Sequence, residues 1–388
     1  MEKRFYWLYV TVFINIIGLG MIFPIMPLFA KAHSASSFQV GLLFAVVALT
    51  QFLVSPLLGR ISDKYGRKPV LIFSIASNTL SFLVTGFAPG LGIIFFGMVL
   101  QGIGTAGVLP VALAYIADVT GKSDKRSAYI ARVTGTFALG FTVGPVVGGF
   151  LGGISLVVPF ILATIVGVLN LILILLFLPE TLTLRDKSIS VKEGLVDIRP
   201  LINALKGEFG VIFFLLFTWA FYISNFILTI PLFTQEKFGF GSFQVGMLFS
   251  LTGTVSAITQ WIILPKIEEK IKDLKTIILG STLLIIGLLL TPAFPILNLF
   301  VALSVLNVIG SSLLRPSLNS YLSKRTTSGQ GVIMGLAFSF ESLGRAFGPL
   351  MLGFVIGQFG TGSSFLVTAA FAMASLILFY KVEYKRIR

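Results

Sequence analysis

Glu341 is the one acidic residue set inside a long apolar run, Leu336-Ala337-Phe338-Ser339-Phe340-Glu341-Ser342-Leu343, and Arg345 follows it four positions later. On a helix those two share a face. Arg315, in Leu313-Leu314-Arg315-Pro316, is a third charge among apolar neighbours. A carboxylate held away from water can take up and release a proton; burial opposes its charged form and a nearby guanidinium favours it. The expectation is that Glu341 is a protonatable group tuned by Arg345 or Arg315. The same residues would also serve as a fixed ion pair between two helices, and the sequence leaves both readings open.

A second cluster is Gly59-Arg60-Ile61-Ser62-Asp63-Lys64-Tyr65-Gly66-Arg67-Lys68-Pro69, a charged hinge between two apolar runs. Gly59 is expected to let the preceding helix pack closely, and Gly66 to permit a tight turn. Asp63 offers a carboxylate at a helix end, Pro69 suits the first turn of the next helix, and Arg67 and Lys68 anchor the loop. Basic residues alone would do no more than fix topology, which accounts for neither Asp63 nor the glycines. Gly140, Gly144, Gly148 and Gly152 recur every four residues and make a flat ridge for close helix approach, with Pro145 favouring a kink. Asn15 and Asn225 are lone amides in apolar runs, and Trp219, Phe221 and Tyr222 lie within about two turns of Asn225. Aromatic walls with few polar anchors suit an amphipathic guest. Otherwise the rings pack against lipid and the amides bond between helices.

The elements that must carry these residues follow from composition. Hydrophobic residues make up 56% of the 388, charged residues 11%, and mean hydropathy is +0.98. A soluble domain carries about 25% charged residues, so this chain belongs in a lipid bilayer. Twelve apolar spans are expected at about 6–30, 38–58, 69–88, 91–116, 128–152, 155–179, 210–234, 243–264, 275–293, 295–321, 331–356 and 362–380. Lipid offers backbone groups no partner, so the spans must be helices or a closed barrel, and they are too long and uniformly apolar for barrel strands. With the first residues inside, 25 of the 29 Lys and Arg fall in inner segments and only Lys31 and Lys237 in outer loops. That asymmetry sets both termini in the cytoplasm. The net charge of +14 does not form a long exposed basic face, which argues against nucleic acid. The first apolar run is too long for a cleavable signal peptide. Zero cysteines exclude disulfides and thiol chemistry, and a single histidine, His33, argues against a metal site. No Gly-Lys-Ser phosphate loop is present, which disfavours ATP-driven pumping. No cofactor and no enzymatic activity are expected.

The chain repeats. Ser37-Phe38-Gln39-Val40-Gly41 returns as Ser242-Phe243-Gln244-Val245-Gly246, and Gly144-Pro145 as Gly348-Pro349. Gly104, Pro110, Tyr115 and Thr120 return 206 residues later as Gly310, Pro316, Tyr321 and Thr326. Both copies begin on the same side, so the repeat is parallel, and two bundles so related form a rocking transporter with a central site. The expected domains are 1–179, a six-helix bundle; 180–209, a linker that either lies along the membrane as an amphipathic helix or is solvated; and 210–388, a second six-helix bundle. Within the linker, Ile189, Val191, Leu195, Ile198, Leu201, Ile202 and Leu205 are loosely helix-spaced, and Pro200 would interrupt a single helix.

These motifs resemble the major facilitator superfamily over the whole chain. The resemblance implies an all-α membrane protein of twelve transmembrane helices in two pseudo-twofold-related six-helix bundles. Gly59-x3-Asp63-x2-Gly66-Arg67-Lys68 resembles the family's loop between spans 2 and 3, a conformational latch, and Asp118 resembles the acidic partner of its arginine, here Arg67. The second-half loop, Pro265-Lys266-Ile267-Glu268-Glu269-Lys270, lacks both glycines and is expected to have lost the latch. Gly140-x3-Gly144-Pro145-x2-Gly148-Gly149 is similar to a motif of drug:proton antiporters, and Pro179-Glu180-Thr181-Leu182 resembles another exporter signature. One position departs from the pattern: three residues before Gln101 the family carries an arginine linked to proton coupling, where this chain has Met98. The resemblance implies a monomeric plasma-membrane exporter of small amphipathic or lipophilic compounds that exchanges them for protons. The alternative is an organic-anion uniporter or symporter with Arg315 and Arg345 as the anion clamp.

Overall fold

A computed structural model describes residues 2–120, 126–181, 199–294, 296–326 and 330–384. Among these every regular element is helical: α1 Glu2–Ile22, α2 Met26–Ala32, α3 Ser37–Tyr65, α4 Arg67–Gly86, α5 Leu91–Thr120, α6 Arg126–Ile154, α7 Val158–Phe177, α8 Arg199–Lys206, α9 Gly210–Phe238, α10 Ser242–Ile258, α11 Leu264–Ala293, α12 Leu297–Arg325, α13 Gln330–Phe359 and α14 Thr361–Phe379. Each expected span falls on a helix. The first is split into α1 and α2 around Phe23-Pro24-Ile25, because Pro24 offers no backbone donor. Ten helical stretches among the described residues are long and apolar enough to cross a membrane. One of them, Ser242–Ala293, holds two expected spans, and α13, which carries Glu341 and Arg345, is not among the ten. Much of α7 presents bare apolar side chains, Leu175 at 56% and Leu176 at 69% exposure, as a lipid-facing helix must.

By internal contacts the chain forms two compact units: Met1–Ala35 with Val46–Val196 and Gly241–Ser250, and Ser36–Ala45 with Asp197–Phe240 and Leu251–Arg388. The expected linker lies mostly outside the described residues, including Ile189, Val191, Leu195 and Ile198. Its described end is α8, and Pro200 stands in the first turn of that helix, where its missing N–H costs nothing.

Helix association in lipid draws little on the hydrophobic effect and depends on close packing. In the first unit the glycine ridge of α6 lies on α1. A methyl group at Gly140 would stand 2.7 Å from Ile16 Cγ2, one at Gly144 2.7 Å from Gly20 Cα, and one at Gly148 would collide with the Met21 carbonyl oxygen. Gly149 continues the ridge against Gly246, at 2.7 Å from its Cα. In the second unit Gly344 and Gly348 of α13 lie against Phe217 and Ser224 of α9 in the same manner.

Candidate functional site

The second unit brings together three charges that the sequence only placed near one another. Leu313, Leu314 and Leu318 bury one face of α12, and Phe340 and Ala337 bury one face of α13, so Arg315 and Glu341 meet across the two helices. Arg315 donates to both carboxylate oxygens, Nε to Oε1 at 2.8 Å and Nη2 to Oε2 at 3.0 Å. This is the two-pronged geometry that a planar guanidinium and a carboxylate favour. Arg345 Nη1 lies 3.6 Å from Glu341 Oε2, and its Nη2 donates to Ser342 Oγ at 3.2 Å. Glu341 is 2% exposed, while the Arg315 and Arg345 side chains are 42% and 28% exposed. Two guanidiniums share one carboxylate, so one positive charge stays unbalanced inside the spans. Charge within a bilayer costs several kcal/mol unless it meets water or a partner. The Arg315 and Arg345 side chains keep an open face beyond their contacts with Glu341.

Polar groups that sequence reasoning missed extend this cluster. Trp219 Nε1 donates to Ser311 Oγ at 3.0 Å, and the Arg315 guanidinium lies 5.0 Å from the Trp219 ring centroid. Ser312 Oγ pairs with Ser256 Oγ at 2.7 Å, which accepts from Gln260 Nε2 at 3.0 Å. Gln260 sits in a π-helical turn, Thr259–Ile263, between α10 and α11. Such a turn shifts the helix register and recurs at functional sites.

The other cargo candidates are placed differently. Asn15 is 4% exposed and accepts from Asn78 Nδ2 at 3.1 Å. Asn225 is 1% exposed and donates to Ser364 O at 2.8 Å and Thr368 Oγ1 at 2.7 Å. Both amides bond between helices, because a polar side chain in lipid satisfies itself on its neighbours. Phe221 is fully buried and stacks on Phe371 with centroids 4.9 Å apart. Tyr222 is 3% exposed, which leaves Trp219 as the candidate aromatic beside the charged cluster. Met98, 2% exposed, fills with apolar packing the position where an arginine was expected.

The first unit brings together Arg67, Asp63 and Asp118, the residues of the expected latch. Arg67, the first residue of α4, is 7% exposed. Its Nε donates to Asp118 Oδ2 at 2.8 Å, its Nη1 to Ser62 Oγ at 2.7 Å, and its Nη1 also pairs with Asp63. Two expectations about this loop need correction. The helix α3 runs through Gly59 to Tyr65, so the hinge is Gly66 alone. Among the described residues nothing lies within 4 Å of where a Gly59 side chain would begin, so Gly59 makes no close helix contact with them.

Gly66 has φ 118°, ψ 158°, a conformation open to glycine. A side chain there would collide with Glu180, which occupies the space for a reason. Glu180 Oε1 accepts from the Arg67 backbone N–H at 2.9 Å, and Oε2 from that of Lys68 at 3.1 Å. Gly66 offers no capping side chain, so a carboxylate 113 residues away satisfies two free N–H groups at the start of α4. Tyr115 Oη donates to Pro179 O at 3.0 Å and Lys68 Nζ to Leu175 O at 2.9 Å, fixing that end of α7 beside the loop. Glu180 of the Pro179-Glu180-Thr181 run thus caps the start of α4.

Fold and site together define a multi-pass membrane transporter. The chain matches the Major Facilitator Superfamily over residues 8–274 and 266–388, and it belongs to that superfamily. It is similar to multidrug resistance protein 2 of Bacillus subtilis (strain 168), 29% identical over 349 residues, covering 88% of this chain and 86% of the relative. It is 31% identical over 370 residues to the class H tetracycline resistance protein of Pasteurella multocida, covering 92% and 89%. Among solved structures, the human organic anion transporter MFSD10 (TETRAN) shares the fold with a TM-score of 0.71 at 22% identity, covering 97% of this chain and 99% of that one.

Proposed function

We propose that the chain is a secondary transporter that exports small amphipathic compounds by alternating access, in exchange for protons taken up at Glu341. The observation that carries export is the likeness, over about nine-tenths of the chain, to proteins named for multidrug and tetracycline resistance. Coupling at Glu341 is supported by its place as the one carboxylate inside the spans. Ionised, it clasps Arg315 and ties α12 to α13. Protonated, it loses that charge-assisted pair, and the two helices are free to part. Trp219, Ser256, Gln260, Ser311 and Ser312 line the face that the cargo meets. Arg67 with Asp63 and Asp118, capped by Glu180, is the latch of the cycle.

The topology that goes with this reading has both termini in the cytoplasm of a plasma-membrane monomer. Its bundles are 1–179 and 210–388, joined by 180–209, and it has no enzymatic step and no cofactor. An organic-anion carrier is not favoured, since the relatives are named for drug resistance.

The test uses everted membrane vesicles and three probes: tetracycline, a quinolone and the lipophilic dye Hoechst 33342. At least one should accumulate when the lumen is acidified, nigericin should abolish that accumulation, and Glu341→Gln should remove its dependence on the gradient. Absence of uptake for all three would overturn export. Uptake indifferent to nigericin would overturn proton exchange alone.

A further inference from the structure

The offset of 206 that carries Gly104 to Gly310 and Tyr115 to Tyr321 also carries charges. It maps Arg67 onto Asp273 and Asp118 onto Lys324. The structure joins the second pair too, with Lys324 on the open side, its side chain 66% exposed against 22% for Asp118. Lys324 Nζ donates to Asp273 Oδ2 at 2.8 Å and Oδ1 at 3.0 Å, and Ser320 Oγ donates to Asp273 Oδ2 at 3.2 Å. Asp273 is 7% exposed, as Arg67 is.

The backbone repeats as well. The same offset maps Gly66 onto Lys272, which has φ 60°, ψ 170° in the middle of α11. Gly66 has φ 118°, ψ 158°. In both units the helix restarts on the next residue, Arg67 or Asp273. A lysine in that conformation is strained, and such strain persists only where the surroundings impose it. The second loop therefore makes a similar turn without a glycine.

The reversal of sign has a physical sense. A helix start carries partial positive charge, which favours an aspartate and disfavours an arginine. In the first unit Arg67 needs Glu180 on its backbone and two carboxylates on its side chain. Asp273 suits a helix start without help. Glu268, at the place of Ser62, is engaged elsewhere, accepting from Ser317 Oγ of α12 at 2.8 Å.

We propose that Asp273 and Lys324 form a second clasp of the transport cycle, a charge-inverted copy of Arg67 and Asp118. As positioning residues they hold the restart of α11 at Asp273 against the last turn of α12 in one conformation and release it in another. The inference rests on the reading that the chain cycles between conformations as an exporter.

Lys324 lies nine residues, about 13.5 Å along the helix, from Arg315, so the clasp can fail without disturbing cargo contacts. In proteoliposomes carrying the probe that wild type moves, Lys324→Met should lower turnover at least tenfold with KM within twofold. Lys324→Arg should keep more than half of turnover, and Asp273→Lys combined with Lys324→Asp should recover at least threefold over Lys324→Met. Wild-type turnover in Lys324→Met, or a loss that only tracks a fall in folded protein and is not rescued by Lys324→Arg, would overturn the proposal. If wild type moves no probe, export fails by itself, and hydrogen exchange decides the clasp. Peptides covering 264–276 and 317–326 should show two-population envelopes in wild type that merge into one fast population in Lys324→Met. A single slow population in wild type would mean a permanent pair.

Discussion

Glu341→Ala is expected to cost the fold about 1.5–3 kcal/mol, because it removes the two-pronged bond to Arg315 and leaves two partly exposed guanidiniums without their carboxylate. Thermal unfolding of the detergent-purified protein reads the loss. Glu341→Gln should cost less, since an amide oxygen still accepts from Arg315. The decisive comparison replaces all three residues, Glu341→Leu with Arg315→Met and Arg345→Met. If stranded charge is the cause, the triple variant regains most of the lost stability. If it unfolds like Glu341→Ala, the cost lies in packing and the electrostatic account of the cluster is wrong.

The second large effect is steric. Gly148→Ala should prevent accumulation of folded protein, because the added methyl meets the Met21 backbone of α1, which cannot swing aside as a side chain would. Gly153→Ala, in the same helix, meets only Phe243 Cβ at 3.9 Å and should be tolerated. Size-exclusion profiles and yields of the two variants compare them directly. Equal behaviour would mean that α6 does not depend on its glycine ridge for docking onto α1.

Residues in this chain were legible to the extent that their meaning is local. The apolar runs gave the helices, since length and hydropathy are properties of a segment. Glu341, Arg315 and Arg345 were marked by cost, because a charge inside a span needs a reason. That Arg315 grips both oxygens of Glu341 depends on how α12 and α13 pack, which no spacing within one helix reveals. Asn15 and Asn225 were also marked by cost, but their partners, Asn78 and the Ser364–Thr368 turn, lie on other helices. Glu180 was recognisable as part of a signature, and its task at the start of α4 was hidden by 113 residues of chain. The second clasp was hidden differently. A search for like residues at the repeat offset passes over an arginine that returns as an aspartate.

The most direct test of alternating access uses the absence of native cysteine. A single cysteine introduced as Arg345→Cys makes every thiol reaction report from the mid-span cluster. A membrane-impermeant, positively charged methanethiosulfonate applied to right-side-out and to everted vesicles should modify it from both faces, with transported probe slowing the reaction. Reaction from one face alone under every condition, or from neither, would contradict a site that opens in turn to the two sides of the membrane.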